Sequence, residues 1–376
     1  MIRLVLFALA SILFVAACQT DPLPPPPPPP PTTCLSDEDL SAITYAPVSY
    51  EPAIPTNFPP LIVPPDNQLT EKGVELGRKL FYDPILSADS TKSCFSCHQL
   101  GKSFTDGLAF SPGIDGTLGE RSSMALVNLG FTPGPFFWDG RTNTLEEQAL
   151  LPVEDPVELH DSWENVVCKL SNHSEYPELF REAFGISNAN EITKELTAKA
   201  LAQFERTMIS GDSRFDKVIY EQQGFFTDDE WNGYQMFFDL ATGVLPDAEC
   251  GHCHNAPLFT TNQFRNNGLD EVFDLNDFPD LGLGAVTGNL FDNGKFRIPT
   301  LRNVALTAPY MHDGRFETLE EVIDHYNSGG NYADNLDPLI YPIGLDSTQK
   351  AQIFAFLHTL TDLEFTNNVE AFGNPF

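Results

Sequence analysis

The chain has 376 residues, long enough for two domains of ordinary size with filled cores. Against 21 basic residues stand 53 acidic ones, a formal charge of -32 that argues against nucleic acid as a partner. Such a surface suits solubility or a basic protein partner, and it is also what a merely solvated shell looks like.

At the N-terminus one basic residue, Arg3, precedes an apolar run from Leu4 to Val15. The run is too short to span a bilayer as a mature helix and reads as a secretory signal over residues 1–17. Val15-Ala16-Ala17-Cys18 is similar to a bacterial lipobox, in which cleavage leaves Cys18 to be acylated; ordinary cleavage after an alanine is the alternative. Gln19 is not the aspartate that often holds a lipoprotein in the inner membrane. The expected location is therefore the periplasm, with a lipid anchor at Cys18 in the outer membrane. Pro22 to Pro31, interrupted only by Leu23, reads as an extended spacer. Pro47 to Pro65 is expected to run over the surface, which makes 18–66 a proline-rich linker and extended N-terminal segment.

Folded structure is expected from Asn67, where Leu69 to Phe81 has apolar residues at helical spacing. The segment leads into Cys94-Phe95-Ser96-Cys97-His98. In such a Cys-x-x-Cys-His stretch two thiols can bond a haem's vinyl groups while the next imidazole reaches its iron. A second copy stands at Cys250-Gly251-His252-Cys253-His254, where ligation falls to His254, directly after the second cysteine. Disulfide or zinc chemistry is the alternative use of such pairs, but zinc has no special need for the trailing histidine. Two covalent haem c groups are therefore expected. Haem attachment of this kind takes place outside the cytoplasm, where disulfides are also permitted. Setting aside Cys18 and the four haem cysteines leaves Cys34 and Cys168, either as one bridge or as two buried thiols.

Between the motifs, Ser162 to Leu170 and Glu191 to Met208 read as amphipathic helices. Thr227-Asp228-Asp229-Glu230 is a capping-box start for a helix through Leu240. The break at Gln222-Gln223-Gly224 divides an N-terminal domain, 67–223, from a C-terminal domain, 224–376, closed by a helix over Asp346 to Leu360. No long alternating strand pattern appears. The expected fold is mainly α, two cytochrome c-like domains each around one covalent haem, with long loops.

An internal repeat relates the two halves. Trp138-Asp139-Gly140-Arg141-Thr142-Asn143-Thr144-Leu145-Glu146-Glu147 aligns without a gap onto His312-Asp313-Gly314-Arg315-Phe316-Glu317-Thr318-Leu319-Glu320-Glu321. Leu126-Val127-Asn128 likewise answers to Leu301-Arg302-Asn303. Carried onward, the alignment sets Tyr326 opposite Pro152. Tyrosine ligates iron through its oxygen and proline cannot, so the second iron is expected to take His254 and Tyr326 while the first keeps His98 and an open face. Met311, His312 and His325 compete with Tyr326 for that position. Gln148, one helical turn before Pro152, and Glu158 could border the open face. A carboxylate can carry a proton between the two oxygens of a peroxide while an amide positions it. A surface acid is the plain alternative for Glu158 in so acidic a chain, and Trp138 is either core packing or an electron relay.

With these residues placed, the chain from about Asn67 to Asp362 resembles the bacterial di-haem cytochrome c peroxidases, and within them the MauG-like branch. The motifs carrying the likeness are Phe137-Trp138-Asp139-Gly140-Arg141, Leu145-Glu146-Glu147-Gln148, Pro156-Val157-Glu158, Phe204-Glu205-Arg206, Ser210-Gly211-Asp212, Pro299-Thr300-Leu301-Arg302-Asn303 and Pro309-Tyr310-Met311-His312-Asp313-Gly314. The resemblance implies that the N-terminal haem is peroxidatic and that the C-terminal haem takes electrons. It also implies that Trp138 lies between them and that Gln148 and Glu158 serve the peroxide site. The familiar peroxidases carry methionine where this chain has Tyr326, and many have a distal histidine after the first haem motif. Neither is found here, and Asp324-His325-Tyr326-Asn327 is similar to MauG.

The resemblance further implies a calcium ion between the domains, held by an asparagine side chain and two backbone carbonyls. The carbonyl positions match Thr307 and Pro309, and Ser122 stands in place of the asparagine. The activity implied is reduction of hydrogen peroxide to water with electrons from a small exported cytochrome c or copper protein. The alternatives are a MauG-like oxidase that modifies a partner protein and a non-catalytic electron-transfer cytochrome. Whether two copies pair as a homodimer is left open.

Overall fold

Hydroxyls and carboxylates at the N-caps start most of the helices in the computed structural model, which describes residues 34–241, Gly243 and 245–376. The predicted signal, Cys18 and the polyproline spacer lie outside the described residues. α1 (Glu71–Tyr82) begins behind Thr70, whose hydroxyl accepts the N–H of Gly73. The single turn α2 (Cys94–Cys97) carries the first cysteine pair and stops at His98. α3 (Leu145–Glu154) is capped by Thr144 and contains Pro152; α4 (Trp163–Ser171), α5 (Tyr176–Phe184) and α6 (Lys194–Glu205) follow. α7 (Arg214–Ile219) leads to α8 (Asp228–Phe237), whose predicted capping box between Thr227 and Glu230 is formed. The second cysteine pair occupies α9 (Cys250–Cys253), followed by α10 (Leu283–Thr287), α11 (Leu319–Ser328) and α12 (Ser347–His358). The short turns α13 (Leu363–Thr366) and α14 (Val369–Phe372) come last.

Sheet is almost absent. Among the described residues it is one antiparallel ladder, β1 (Phe264–Arg265) with β2 (Phe296–Arg297). The predicted helix over Glu191 to Met208 is shorter at both ends, because Thr193 caps it and the chain turns after Glu205. The helix after Thr227 likewise ends at Phe237 rather than Leu240. Cys34 and Cys168 are each disulfide-bonded. No helix among the described residues is long and apolar enough to cross a membrane.

Leu35 onward forms one compact unit containing two large apolar cores, besides a small cluster of Val272, Leu275, Phe278 and Ala333. Each core centres on a crossed helix pair, α1 with α6 and α8 with α12, and in each the crossing point is a glycine. A Cβ on Gly77 would overlap the carbonyl oxygen of Ala200, and one on Gly233 would overlap that of Gln352. Only glycine allows backbones this close. The first core holds Leu76, Leu80, Phe81, Phe180 and Phe204. The second holds Phe237, Phe259, Ile353 and Phe356, and Phe215 already belongs to it. The chain then returns: Phe365 and Phe372 pack into the first core, and Tyr82 donates its hydroxyl to the Phe372 carbonyl at 2.5 Å.

Buried charges pin the frame. Arg302 holds Asp216 through two bonds of 2.8 and 2.9 Å, and the two side chains are 0% and 2% exposed. Breaking such a pair on one side leaves an uncompensated buried charge. Arg206 forks onto Glu146 at 2.8 and 3.0 Å and ties the end of α6 to the start of α3.

Candidate functional site

The aligned repeat is a repeat of structure. In the first half Phe136 donates its N–H to Thr142, and in the second Tyr310 donates to Phe316, each at 2.7 Å. A capping threonine then starts a helix of 10 residues in each half, α3 behind Thr144 and α11 behind Thr318. Asn128 and Asn303 both turn the chain in the left-handed region, at φ 59° and 62°. Each half therefore presents its cysteine helix and its capped helix to one cavity.

His98 follows α2 and places Nδ1 2.8 Å from the Phe104 carbonyl. His254 follows α9 and places Nδ1 3.1 Å from the Phe259 carbonyl. A carbonyl can only accept, so each Nδ1 carries the proton and each Nε2 keeps its lone pair. Burial lowers the pKa of His98 and takes that of His254 down to about 4, so both rings stay neutral. His252, inside the second motif, is bound elsewhere: its Nε2 lies 2.8 Å from Glu249 and 3.1 Å from Asp239.

The first cavity is lined by Cys94, Cys97 and His98 together with Gln148, Pro152 and Glu158. Helix α3 delivers Gln148 and Pro152, and the turn closed by the Glu158 N–H onto the Asp155 carbonyl delivers Glu158. Burial, helped by the nearby Asp155 carboxylate, pushes the Glu158 pKa up to about 7 against a weaker opposing pull from Arg141. The buried Oε1 of Gln148 has no partner among the described residues, so it can accept a bond from a bound molecule.

The second cavity is lined by Cys250, Cys253 and His254 together with Tyr326, Met311 and His312. Tyr326 accepts a bond of 3.1 Å from the Asn267 amide, which also lies 3.4 Å from the Met311 sulfur. Burial pushes the phenol up to about 12, so an ionised ligand oxygen there requires a positive partner. His325 turns away, its Nε2 lying 2.9 Å from the Asn267 carbonyl. His312 is stacked on Phe296 with ring centres 3.6 Å apart. Ser122, Thr307 and Pro309 line the same cavity. The Ser122 hydroxyl donates to the Met311 carbonyl at 2.9 Å.

Trp138 borders both cavities, and its indole N–H donates to the Ser122 carbonyl at 2.9 Å. Two residues that sequence reasoning missed stand in the same walls. Glu205, in the first cavity, is buried with Oε2 unpartnered, and burial pushes its pKa up to about 8. Arg297 borders both cavities, and its buried Nε has no partner. Glu205 stands in a quoted motif, but nothing in a sequence marks a lone arginine as buried.

These features fit haem. Four free thiols lie beside two apolar cavities, two neutral imidazoles keep Nε2 for a metal, and the buried Arg297 Nε finds no partner among the described residues. The duplicated fold and its paired cavities thus define the cytochrome c class.

A family model for the di-haem cytochrome c peroxidases matches residues 71–224. The chain is 34% identical over 302 residues to the methylamine utilization protein MauG of Methylorubrum extorquens, covering 79% of this chain and 80% of that one. It is 33% identical over 287 residues to cytochrome c551 peroxidase of Nitrosomonas europaea, covering 76% and 79%. The crystal structure of a MauG-like protein associated with microbial copper homeostasis superposes with a TM-score of 0.79 at 33% identity, over 87% of this chain and 99% of that one. The diheme peroxidase BthA from Burkholderia thailandensis shares the fold, with a TM-score of 0.69 at 22% identity over 89% and 97%. The chain belongs to the di-haem cytochrome c peroxidase family and is an oxidoreductase.

Proposed function

We propose that the protein reduces hydrogen peroxide to water in the first cavity, using electrons that enter through the second. Supporting this reading is the convergence of Gln148 and Glu158 on the cavity of His98, while the matching wall of the second cavity carries Tyr326. A haem c attached at Cys94 and Cys97 would supply the metal that passes electrons to the O–O bond, and a second at Cys250 and Cys253 would receive them from the donor. Glu158 takes a proton from the near peroxide oxygen and returns it to the departing one. Gln148 accepts a hydrogen bond that orients the substrate, and Pro152 leaves room where Tyr326 fills its counterpart. Two protons and two electrons then convert one peroxide into two waters.

The donor in this reading is a small exported cytochrome c or copper protein, and export rests on the signal-like 1–17 stretch with anchoring at Cys18. A calcium ion would bind the carbonyls of Thr307 and Pro309 and a lone pair of the Ser122 hydroxyl, whose O–H can go on donating to the Met311 carbonyl. Intact mass of denatured protein, matured in a host able to attach haem, should show two haem additions; a mass without them overturns the reading. Purified ferric protein mixed with peroxide and reduced cytochrome c should oxidise the cytochrome quickly.

Tyr326 and the likeness to MauG favour a second reading, in which the same peroxide chemistry oxidises side chains of a partner protein. Consumption of peroxide while cytochrome and copper-protein donors stay reduced would select it.

A further inference from the structure

The guanidinium of Arg297 is buried, with the residue only 6% exposed, and it stands where the two cavities meet. Its backbone N–H donates to the Trp138 carbonyl at 2.9 Å, which fixes it beside the shared indole. Ladder pairing of β2 with β1 holds this backbone on one side. The side chain finds little to bond. Nη1 reaches Asn262 Oδ1 at 3.4 Å, Nη2 reaches the Met124 sulfur at 3.9 Å, and Nε reaches no acceptor among the described residues. Among the described residues no carboxylate forms an ion pair with it, whereas Arg206 and Arg302 each fork onto one. Burial brings its pKa down to about 10, so the group is still charged at neutral pH.

An unpaired buried cation is costly, and buried charges in folded proteins are as a rule offset by an anion. A guanidinium presents a planar fork of donors matched to a carboxylate. Each haem brings carboxylates of its own into a cavity that Arg297 borders. We infer that Arg297 is a cofactor-binding residue, pairing with a haem carboxylate at the seam beside Trp138. The pairing rests on the two-haem reading above. Its consequence is electrostatic: a fixed positive charge in a low-dielectric seam destabilises the more positive ferric state of the haem it faces, and so raises that haem's potential.

Redox titration of the holoprotein tests the pairing. Arg297→Gln should retain both haems by mass and shift the midpoint potential of at least one haem downward, while Arg297→Lys, which keeps the charge, should restore most of the shift. Potentials unmoved in Arg297→Gln would overturn the proposal. A crystal structure of the unaltered holoprotein decides without any variant. Arg297 nitrogens within about 3.2 Å of a haem carboxylate support it, and a guanidinium turned to solvent or a small anion overturns it. Protein that carries no haem by mass would instead remove the reading beneath.

Discussion

Trp138 donates its indole N–H to the carbonyl of Ser122 at 2.9 Å, and the bond sets the ring in the wall common to both cavities. If electrons cross from the second cavity to the first through this wall, the indole is an aromatic ring that both cavities share. Trp138→Phe should slow donor-driven peroxide turnover by about tenfold or more, about 1.4 kcal/mol in barrier. Reduction of the second haem by the donor should stay fast in stopped-flow spectra; equal turnover in the variant returns Trp138 to core packing.

Glu158 should govern the acid side of the pH profile. Its pKa lies near 7 because burial and Asp155 disfavour the charged form. A base must be ionised to accept the first proton, so the rate of peroxide cleavage should rise as pH increases through about 7. Glu158→Gln should lower that rate by roughly a hundredfold or more and flatten the rise. Single-turnover kinetics across pH would show both effects, and an unaltered profile would make Glu158 a bystander.

The sixth position of the second haem is open to a spectroscopic decision. Tyr326 and Met311 share one amide, Asn267, at 3.1 and 3.4 Å. The expected resting protein has one high-spin and one low-spin ferric haem. Tyr326→Phe should convert the low-spin signal in electron paramagnetic resonance spectra, and Met311→Leu should leave it. The reverse pattern would assign the ligand to Met311.

Gly77→Ala and Gly233→Ala should each destabilise the fold. The added methyl meets the carbonyl oxygen of Ala200 or Gln352, so one helix of the pair must move away. Overpacking of this kind typically costs about 1–3 kcal/mol. Denaturant unfolding of each variant should show losses in that range, and an unchanged midpoint would mean that the helix crossings are loosely packed.

Much of this molecule can be read from residue order alone, because its signals are local. Cys-x-x-Cys-His is a single turn of helix, and the capping box at Thr227 satisfies an N–H group three residues away. The gapless repeat likewise carries its geometry with it, down to matching helices behind Thr144 and Thr318.

Other features depend on which distant segments meet, and no local pattern encodes that. The return of Phe365 and Phe372 to the first core joins the two ends of the folded unit. Tyr326, Met311 and His325 all meet Asn267, which lies far from them in the chain. That Arg297 Nε and Glu205 Oε2 find no hydrogen-bond partner among the described residues is likewise a property of the cavity walls. Sequence by itself determined the attachment motifs, the caps and the duplication, because each involves groups held close by the chain. Tertiary structure alone decided the shared wall and its unpaired guanidinium, because burial and pairing are set by whatever the rest of the chain brings alongside.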